Sequence, residues 1–294
     1  MNPISLKPCR SEEDFQRILD VESEICRLNP DQDWHYHIGG LLFEHLLFKS
    51  GHKDLYKYAH LIYEGDIIIG YLCIFYLDWE FYLALLPHKM RYFKRILKMK
   101  DEQFPDAKEF SFTISDYKKT AIHQALSYGF IDHGDLRYLG VLDLSGPILR
   151  CVKRHATLRR YEPEDFSART EAASLPIDGN ISTDTMQAYF DSPYQHKYAR
   201  DYVLIDDKSK QLIGFSTWWV DTNSKTALLE PIACNKAYRG KRYMTYMILK
   251  TLRSLQKEGI RYVYVSTNID HDEAIALYNY CGFKPLSKAR LLSR

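Results

Sequence analysis

The 294-residue chain has no run of eighteen apolar residues, so no segment reads as a membrane-spanning helix. It has no excess of charge of either sign. Forty basic residues against 38 acidic ones leave a net +2, too little to favour nucleic acid or an anionic membrane as partner. There is no C-x-x-C pair. The six cysteines, at 9, 26, 73, 151, 234 and 281, lie too far apart for a small disulfide framework and read as free thiols of a reducing compartment. The opening MNPISLKPCRSEEDF carries no apolar signal core, which makes the cytoplasm the expected location. A metal centre is not expected either. In DWHYHI, His35 and His37 diverge on a helix and share a face only on a strand, and no third ligand is spaced nearby.

What is present is apolar mass and a repeat. Apolar residues make up 46% of the chain, enough for sizeable cores, and the length suggests two domains. KTAIHQALSYGF (119–130) matches DEAIALYNYCGF (272–283): Gly129 falls on Gly282, Ala121 on Ala274 and Phe130 on Phe283. Each stretch follows an alternating run, EFSFTIS and IRYVYVST, and so reads as strand, loop, short helix, glycine stop. SLKPCRSEEDFQRI matches TLRRYEPEDFSART, with Asp14 on Asp165, and DIIIGYLCIFY matches KQLIGFSTWWV. Two domains of one architecture are therefore predicted, 1–150 and 151–294, joined in LSGPILRCVKRHA where Gly146-Pro147 breaks the pattern. Within each, the order strand, two helices, three strands, helix, strand, helix, strand predicts an α/β or α+β fold with a mixed sheet. In the second half the central strands are predicted near 201–206, 211–220 and 225–234. A helix is predicted over 241–257, with Met244, Met247, Ile248, Leu252 and Leu255 on its apolar face and Gly259 at its stop.

NKAYRGKRYM (235–244) joins the strand TALLEPIAC to that helix. A helix start offers unpaired N–H groups and the positive end of the dipole, so a strand turning directly into it suits an anion. Gly240 permits a close backbone approach, and Arg239, Lys241 and Arg242 add cations. Alone, a solvated basic turn would read the same.

The order strand, R-G-x-x, helix, strand, A-x-x-L-Y-x-x-x-G-F resembles the GNAT acyltransferase superfamily over about residues 155–290. Ala274, Leu277, Tyr278, Gly282 and Phe283 match its second helix, and Arg239 matches the first position of its R/Q-x-x-G-x-G/A turn. Arg242 stands where that turn has its central glycine, Met244 where it ends on a small residue, and His271 where an asparagine is usual. The resemblance implies two tandem GNAT-like domains, the N-terminal one degenerate, and acetyl-CoA as cofactor with its pyrophosphate on Arg239, Gly240, Lys241, Arg242, Tyr243 and Met244. It further implies backbone contacts to the cofactor from Ile232 and Cys234, with Asn268 on the next strand also in the binding set. An arginine keeps its backbone N–H, so retained binding with altered geometry is expected.

The resemblance makes Tyr278 the candidate proton donor to the leaving thiolate, against the alternative of a packed aromatic. Glu230 is the candidate base, as a carboxylate in an otherwise apolar strand facing cleft or solvent. Strand alternation puts Glu230, Ile232 and Cys234 on one face, and Pro231 predicts a local irregularity. Cys234 itself reads as a small apolar side chain. The first half has no glycine in LALLPHKMRYFKRILKMK, where Met90, Phe93, Leu97 and Phe104 give a plain amphipathic helix, and Ala125 stands at the position of Tyr278. It is expected to be a catalytically silent copy. The polar aromatics of SPYQHKYARDY (192–202) fall where the superfamily covers the acceptor. The expected function is acetyl-CoA-dependent N-acetyltransfer to a small-molecule amine by direct attack in a ternary complex, by a monomer or homodimer. The rivals are a CoA- or small-ligand-binding sensor and a structural pseudoenzyme of the same fold.

Overall fold

Two aspartates matched by the repeat start the first helix of each half. Asp14 accepts the Arg10 N–H at 2.8 Å while Ser11 caps the helix, and Asp165 accepts the Glu162 N–H at 2.9 Å as half of a capping box. In the computed structural model, residues 3–31, 36–43, 58–76, 78–152, 154–173 and 182–294 are described. The first half runs β1 (Ile4–Pro8), α1 (Glu12–Leu28), α2 (His37–Phe43), β2 (Ala59–Glu64), β3 (Ile67–Phe75), β4 (Glu80–Leu85), α3 (Phe93–Gln103), β5 (Phe112–Ser115), α4 (Lys119–Leu126) and β6 (Ile131–Asp143). The second runs β7 (Ala156–Arg160), α5 (Phe166–Ala173), α6 (Thr183–Asp191), α7 (Pro193–Tyr198), β8 (Ala199–Asp206), β9 (Leu212–Asp221), β10 (Thr226–Cys234), α8 (Tyr243–Lys257), β11 (Tyr262–Asn268), α9 (Asp272–Tyr280) and β12 (Lys284–Ser293).

The matched glycines of IIIGYLCIF and LIGFSTWWV share one physical reason. A Cβ on Gly70 would stand 2.2 Å from the Ala84 carbonyl oxygen, and one on Gly214 would stand 2.4 Å from that of Ala233. Only a hydrogen fits where the neighbouring strand comes this close.

The halves are not closed units. β1 to β4 form one sheet in chain order, and the other eight strands form a second, ordered β5-β12-β6-β11-β10-β9-β8-β7. The last strand of each half therefore lies beside the fifth strand of the other. β6 pairs antiparallel with β11 from Tyr262 opposite Asp143 to Asn268 opposite Arg137. β12 pairs antiparallel with β5, and β6 and β12 pair with each other. Only β10 and β11 run parallel within this sheet, which makes it the mixed sheet expected.

Side-chain burial follows the same plan. A core shared by both halves packs α1, α2, α5 and α6 against β3 of one sheet and β9 and β10 of the other. Here α2 lies so close to β9 that a Cβ on Gly39 would stand 2.3 Å from that of Trp219. A second core holds α3 and α4 against the outer face of the first sheet, where Phe93 and Leu97 are buried, Met90 and Phe104 pack at the edge, and Leu292 of β12 joins them. A third holds α8 and α9 against the outer face of the eight-stranded sheet, where Tyr138 of β6 joins in. Among the described residues no helix is long and apolar enough to cross a membrane.

Candidate functional site

β10 and β11 stay paired only from Thr226–Leu229 against Tyr262–Val265 and then part. The register of β10 with β9 shifts between Leu229 and Ile232, around the cis Glu230–Pro231 bond, and resumes with Ile232 opposite Ser216 and Cys234 opposite Gly214. The Asn235 N–H donates to the Ile213 carbonyl at 2.8 Å on the β9 side. Successive strand N–H groups point to opposite edges, so those of Cys234 and Ile232 face the open gap. The shift puts one extra residue into β10 between Leu229 and Ile232. Simple alternation does not run through it: Ile232 packs against both the core that holds Tyr278 and the one that holds Met244, Cys234 packs against the latter, and the Glu230 carboxylate lies 3.7 Å from Arg137.

The turn after β10 also differs from the sequence reading in its last step. The helix starts at Tyr243 rather than 241, because Arg242 sits in the left-handed region with φ 61° and ψ 22°. Gly240 is left-handed too, with φ 71°. A glycine would take Arg242's conformation without cost. The guanidinium lies outside the turn, 5.3 Å from the Tyr280 ring centroid, with Nη1 donating to its hydroxyl at 3.4 Å. The first turn of α8 has neither a side-chain cap nor an acidic residue, so its N–H groups keep their positive end exposed. Arg239 folds back onto the Cys234 carbonyl at 3.3 Å and Lys241 onto that of Ala237 at 2.8 Å. Met244 turns inward and fills the hollow over Gly214, its Cε 2.8 Å from where a Cβ would stand there. The bulky residue thus leaves its backbone where it was.

Glu230 stands at the bend of β10, and Tyr278 of α9 lies within electrostatic reach of its carboxylate. Tyr278 is buried at 4% exposure, edge-on to Phe283 at 5.9 Å. Burial, with the Glu230 carboxylate beside it, pushes its phenol well above the ordinary range. Burial raises the Glu230 carboxyl, and the Arg137 guanidinium opposes that rise from 3.7 Å. Arg137 belongs to the first half and had no place among the sequence-read candidates. Its Nε donates to Ser266 Oγ at 2.8 Å, and its backbone lies between Asn268 of β11 and Ala289 of β12. A signal existed: Arg137 stands as far past Gly129 as Arg290 stands past Gly282.

The remaining candidates sit as follows. Asn268, exposed at the end of β11, accepts the His271 N–H through its carbonyl at 3.1 Å. His271 precedes α9 without capping it, its Nδ1 3.2 Å from Thr267 Oγ1. The Cys234 thiol is raised by burial and all six cysteines are free. His35 lies outside the described residues. His37 accepts the Gly39 N–H on Nδ1 at 2.9 Å and meets Thr226 Oγ1 through Nε2 at 3.0 Å, so both ring nitrogens are engaged. Among the described residues no three metal-ligating side chains cluster. Of the 192–202 stretch, Gln195, His196, Ala199 and Asp201 line a cavity of about 410 Å³ with Tyr161 and Phe190. That cavity borders β7 and β8, two strands from β10, and neither Glu230 nor Tyr278 lines it.

β10 and β11 thus part beside an uncapped helix start flanked by cations, with Glu230 at the bend of β10. Residues 167–283 match the model of the acetyltransferase (GNAT) family. The chain is similar in fold to a tandem GNAT protein from the clavulanic acid biosynthesis pathway, at 14% identity and TM-score 0.67, covering 99% of this chain and 98% of that one. It is similar also to a GCN5-related N-acetyltransferase from Sphaerobacter thermophilus (14%, TM-score 0.63, 100% and 96%) and to a GNAT-family acetyltransferase from Colwellia psychrerythraea (12%, 0.65, 98% and 99%). Among curated proteins none matches it in sequence. The match to the GNAT family, whose general activity is acetyl transfer, thus lies in the second half, and the whole chain has the fold of a tandem GNAT protein.

Proposed function

We propose that the protein transfers an acetyl group from acetyl-CoA to a small-molecule amine by direct attack, at the fork between β10 and β11. The observation that carries this reading is the parting of β10 and β11 beside the uncapped start of α8, with Glu230 at the bend of β10. The chain's own groups fit the cofactor. The N–H groups of Tyr243, Met244 and the next residue suit a diphosphate, and Arg239, Lys241 and Arg242 stand close enough to turn toward it. The gap-facing N–H groups of Ile232 and Cys234 suit an amide-bearing arm, and that of Cys234 suits a carbonyl oxygen gaining charge. Acetyl-CoA, when bound, supplies an acetyl thioester with a thiolate leaving group. Glu230 takes the proton of the attacking amine, directly or through a water, and its raised carboxyl makes it a stronger base than an exposed glutamate. The Tyr278 phenol stays protonated at every working pH and donates a hydrogen bond to the sulfur as charge develops there.

The test combines binding with turnover. CoA at millimolar concentration raises the melting temperature, since a ligand specific to the native state must do so. Acetyl-CoA with a panel of amines releases free thiol, and Tyr278→Phe slows that release by roughly 10²-fold or more. Undiminished turnover in Tyr278→Phe moves the chemistry elsewhere. A melting shift without thiol release across the panel favours a CoA-binding sensor, and no shift removes the cofactor reading.

A further inference from the structure

Among the described residues the first half shows no candidate catalytic pair of its own, yet its last strand reaches Glu230. β6 is held on both edges, by β11 and by β12, so its backbone has little freedom to shift. Arg137 projects from it toward Ser266, which stands on β11 on the same face, and the 2.8 Å bond from Nε fixes the plane of the guanidinium. That leaves its far end directed at Glu230 across 3.7 Å, longer than a hydrogen bond and still within the reach of an ion pair. The carboxylate's backbone is fixed as well, because the Trp219 indole N–H donates to the Glu230 carbonyl at 2.7 Å. Arg137 and Tyr278 are the ionisable groups that act on this carboxyl. Among the described residues the Glu230 carboxylate has one cation to balance it, Arg137.

We propose that Arg137 is a positioning residue for Glu230, so that the active site of the second half is completed by the first. The inference rests on the reading of Glu230 as the base of an acetyl transfer. The arginine acts in two ways. It holds the carboxylate at the fork, and it favours the charged form, the one that accepts a proton. A lysine at 137 would keep the charge but lose the planar fork that engages Ser266 and Glu230 together. The first half is then a copy that lost its own chemistry and kept one strand in its neighbour's.

The test follows Glu230 itself in the intact chain. The side-chain carboxyl carbon is labelled, its NMR signal is assigned by its loss in Glu230→Gln, and its titration is compared in the wild type, Arg137→Gln and Arg137→Lys. Glutamine keeps a donor for Ser266 and removes the charge, so Glu230 is expected to titrate about one pH unit higher in that variant and close to the wild type in the lysine variant. The acid limb of kcat/KM for the amine moves upward by the same amount in Arg137→Gln, and the KM for acetyl-CoA stays unchanged. A merely structural arginine would move neither the titration nor the limb. If Glu230 titrates alike in all three folded proteins, the proposal is overturned. If the wild type acetylates no amine, the function proposed above falls, while the carboxyl titration still decides what Arg137 does. Should Arg137→Gln fail to fold, Arg137→Lys carries the test through its limb: a loss of turnover without loss of charge supports positioning, and wild-type kinetics overturn it.

Discussion

Arg242 holds a left-handed backbone that costs a side-chain-bearing residue about 1–2 kcal/mol and a glycine almost nothing. Its guanidinium regains part of that cost on Tyr280, at the surface where such contacts are weak. Arg242→Gly is therefore expected to unfold at higher urea than Arg242→Ala, with a gap of about 1 kcal/mol, because alanine keeps the strain and loses the contact. Equal midpoints would show that the turn relaxes when the arginine is removed. CoA titrations of the same pair separate two grips. If backbone N–H groups hold the diphosphate, both variants bind as well as the wild type; if the guanidinium turns inward to hold it, both lose affinity. The same logic explains why Met244 does no harm in a position that resembles one for a small residue: the side chain has somewhere to go, over Gly214, and the N–H remains.

Between elements, the hairpin of β9 and β10 is tied to α2 by a buried polar chain. Ser224 donates to Asp221 and shares a proton contact with Thr226, Thr226 meets His37 Nε2, and the Gly39 N–H donates to His37 Nδ1. Because Nδ1 accepts, the ring's proton sits on Nε2 and the imidazole is neutral. Glu22, fully buried on α1, accepts the His37 N–H at 3.0 Å and the Tyr71 hydroxyl at 2.8 Å. Burial lowers the His37 pKa from 6.5 to about 4, and the Asp221 carboxylate opposes that fall. The sign follows from proton uptake. Between the two values the unfolded chain binds a proton that the folded one refuses, so stability present above pH 6.5 is lost as pH falls toward 4. His37→Asn, which tolerates the same positive φ, is expected to flatten that loss by up to about 1.4 kcal/mol per pH unit. Urea melts at pH 7, 6, 5 and 4 measure it, and parallel curves for the two proteins would refute it. The two histidines of DWHYHI thus suggest a metal by composition, and the packing makes one of them a structural link between the halves.

At the scale of the whole molecule, the repeat is broken by an exchange. Removing residues 1–150 takes β6 from β11 and both neighbours from β12, and it strips the cover of β9 and β10 supplied by α2. Residues 151–294 alone are therefore expected to give no cooperative thermal transition by circular dichroism, whereas a sharp transition would show that the second half closes on its own. Element order was legible beforehand, because the matched EDF, glycine-centred strand and GF segments each encode a local structure through capping, alternation and turn chemistry. The central strands fall within two residues of their predicted bounds. Glu230 and Tyr278 were legible as residue types: a charge in an apolar strand and a tyrosine in a recognisable helix. Arg137 was marked only by its repeat match to Arg290, since its partners Ser266 and Glu230 lie more than ninety residues away. The sequence by itself determined the repeated elements, the anion-suited helix start and the family resemblance, all products of neighbours along the chain. Only the tertiary structure decided which strand lies beside which, where alternation fails at Pro231 and which strand brings Arg137 beside Glu230. Strand pairing is satisfied equally well by either copy's backbone hydrogen bonds, so the choice between them rests on packing between distant segments.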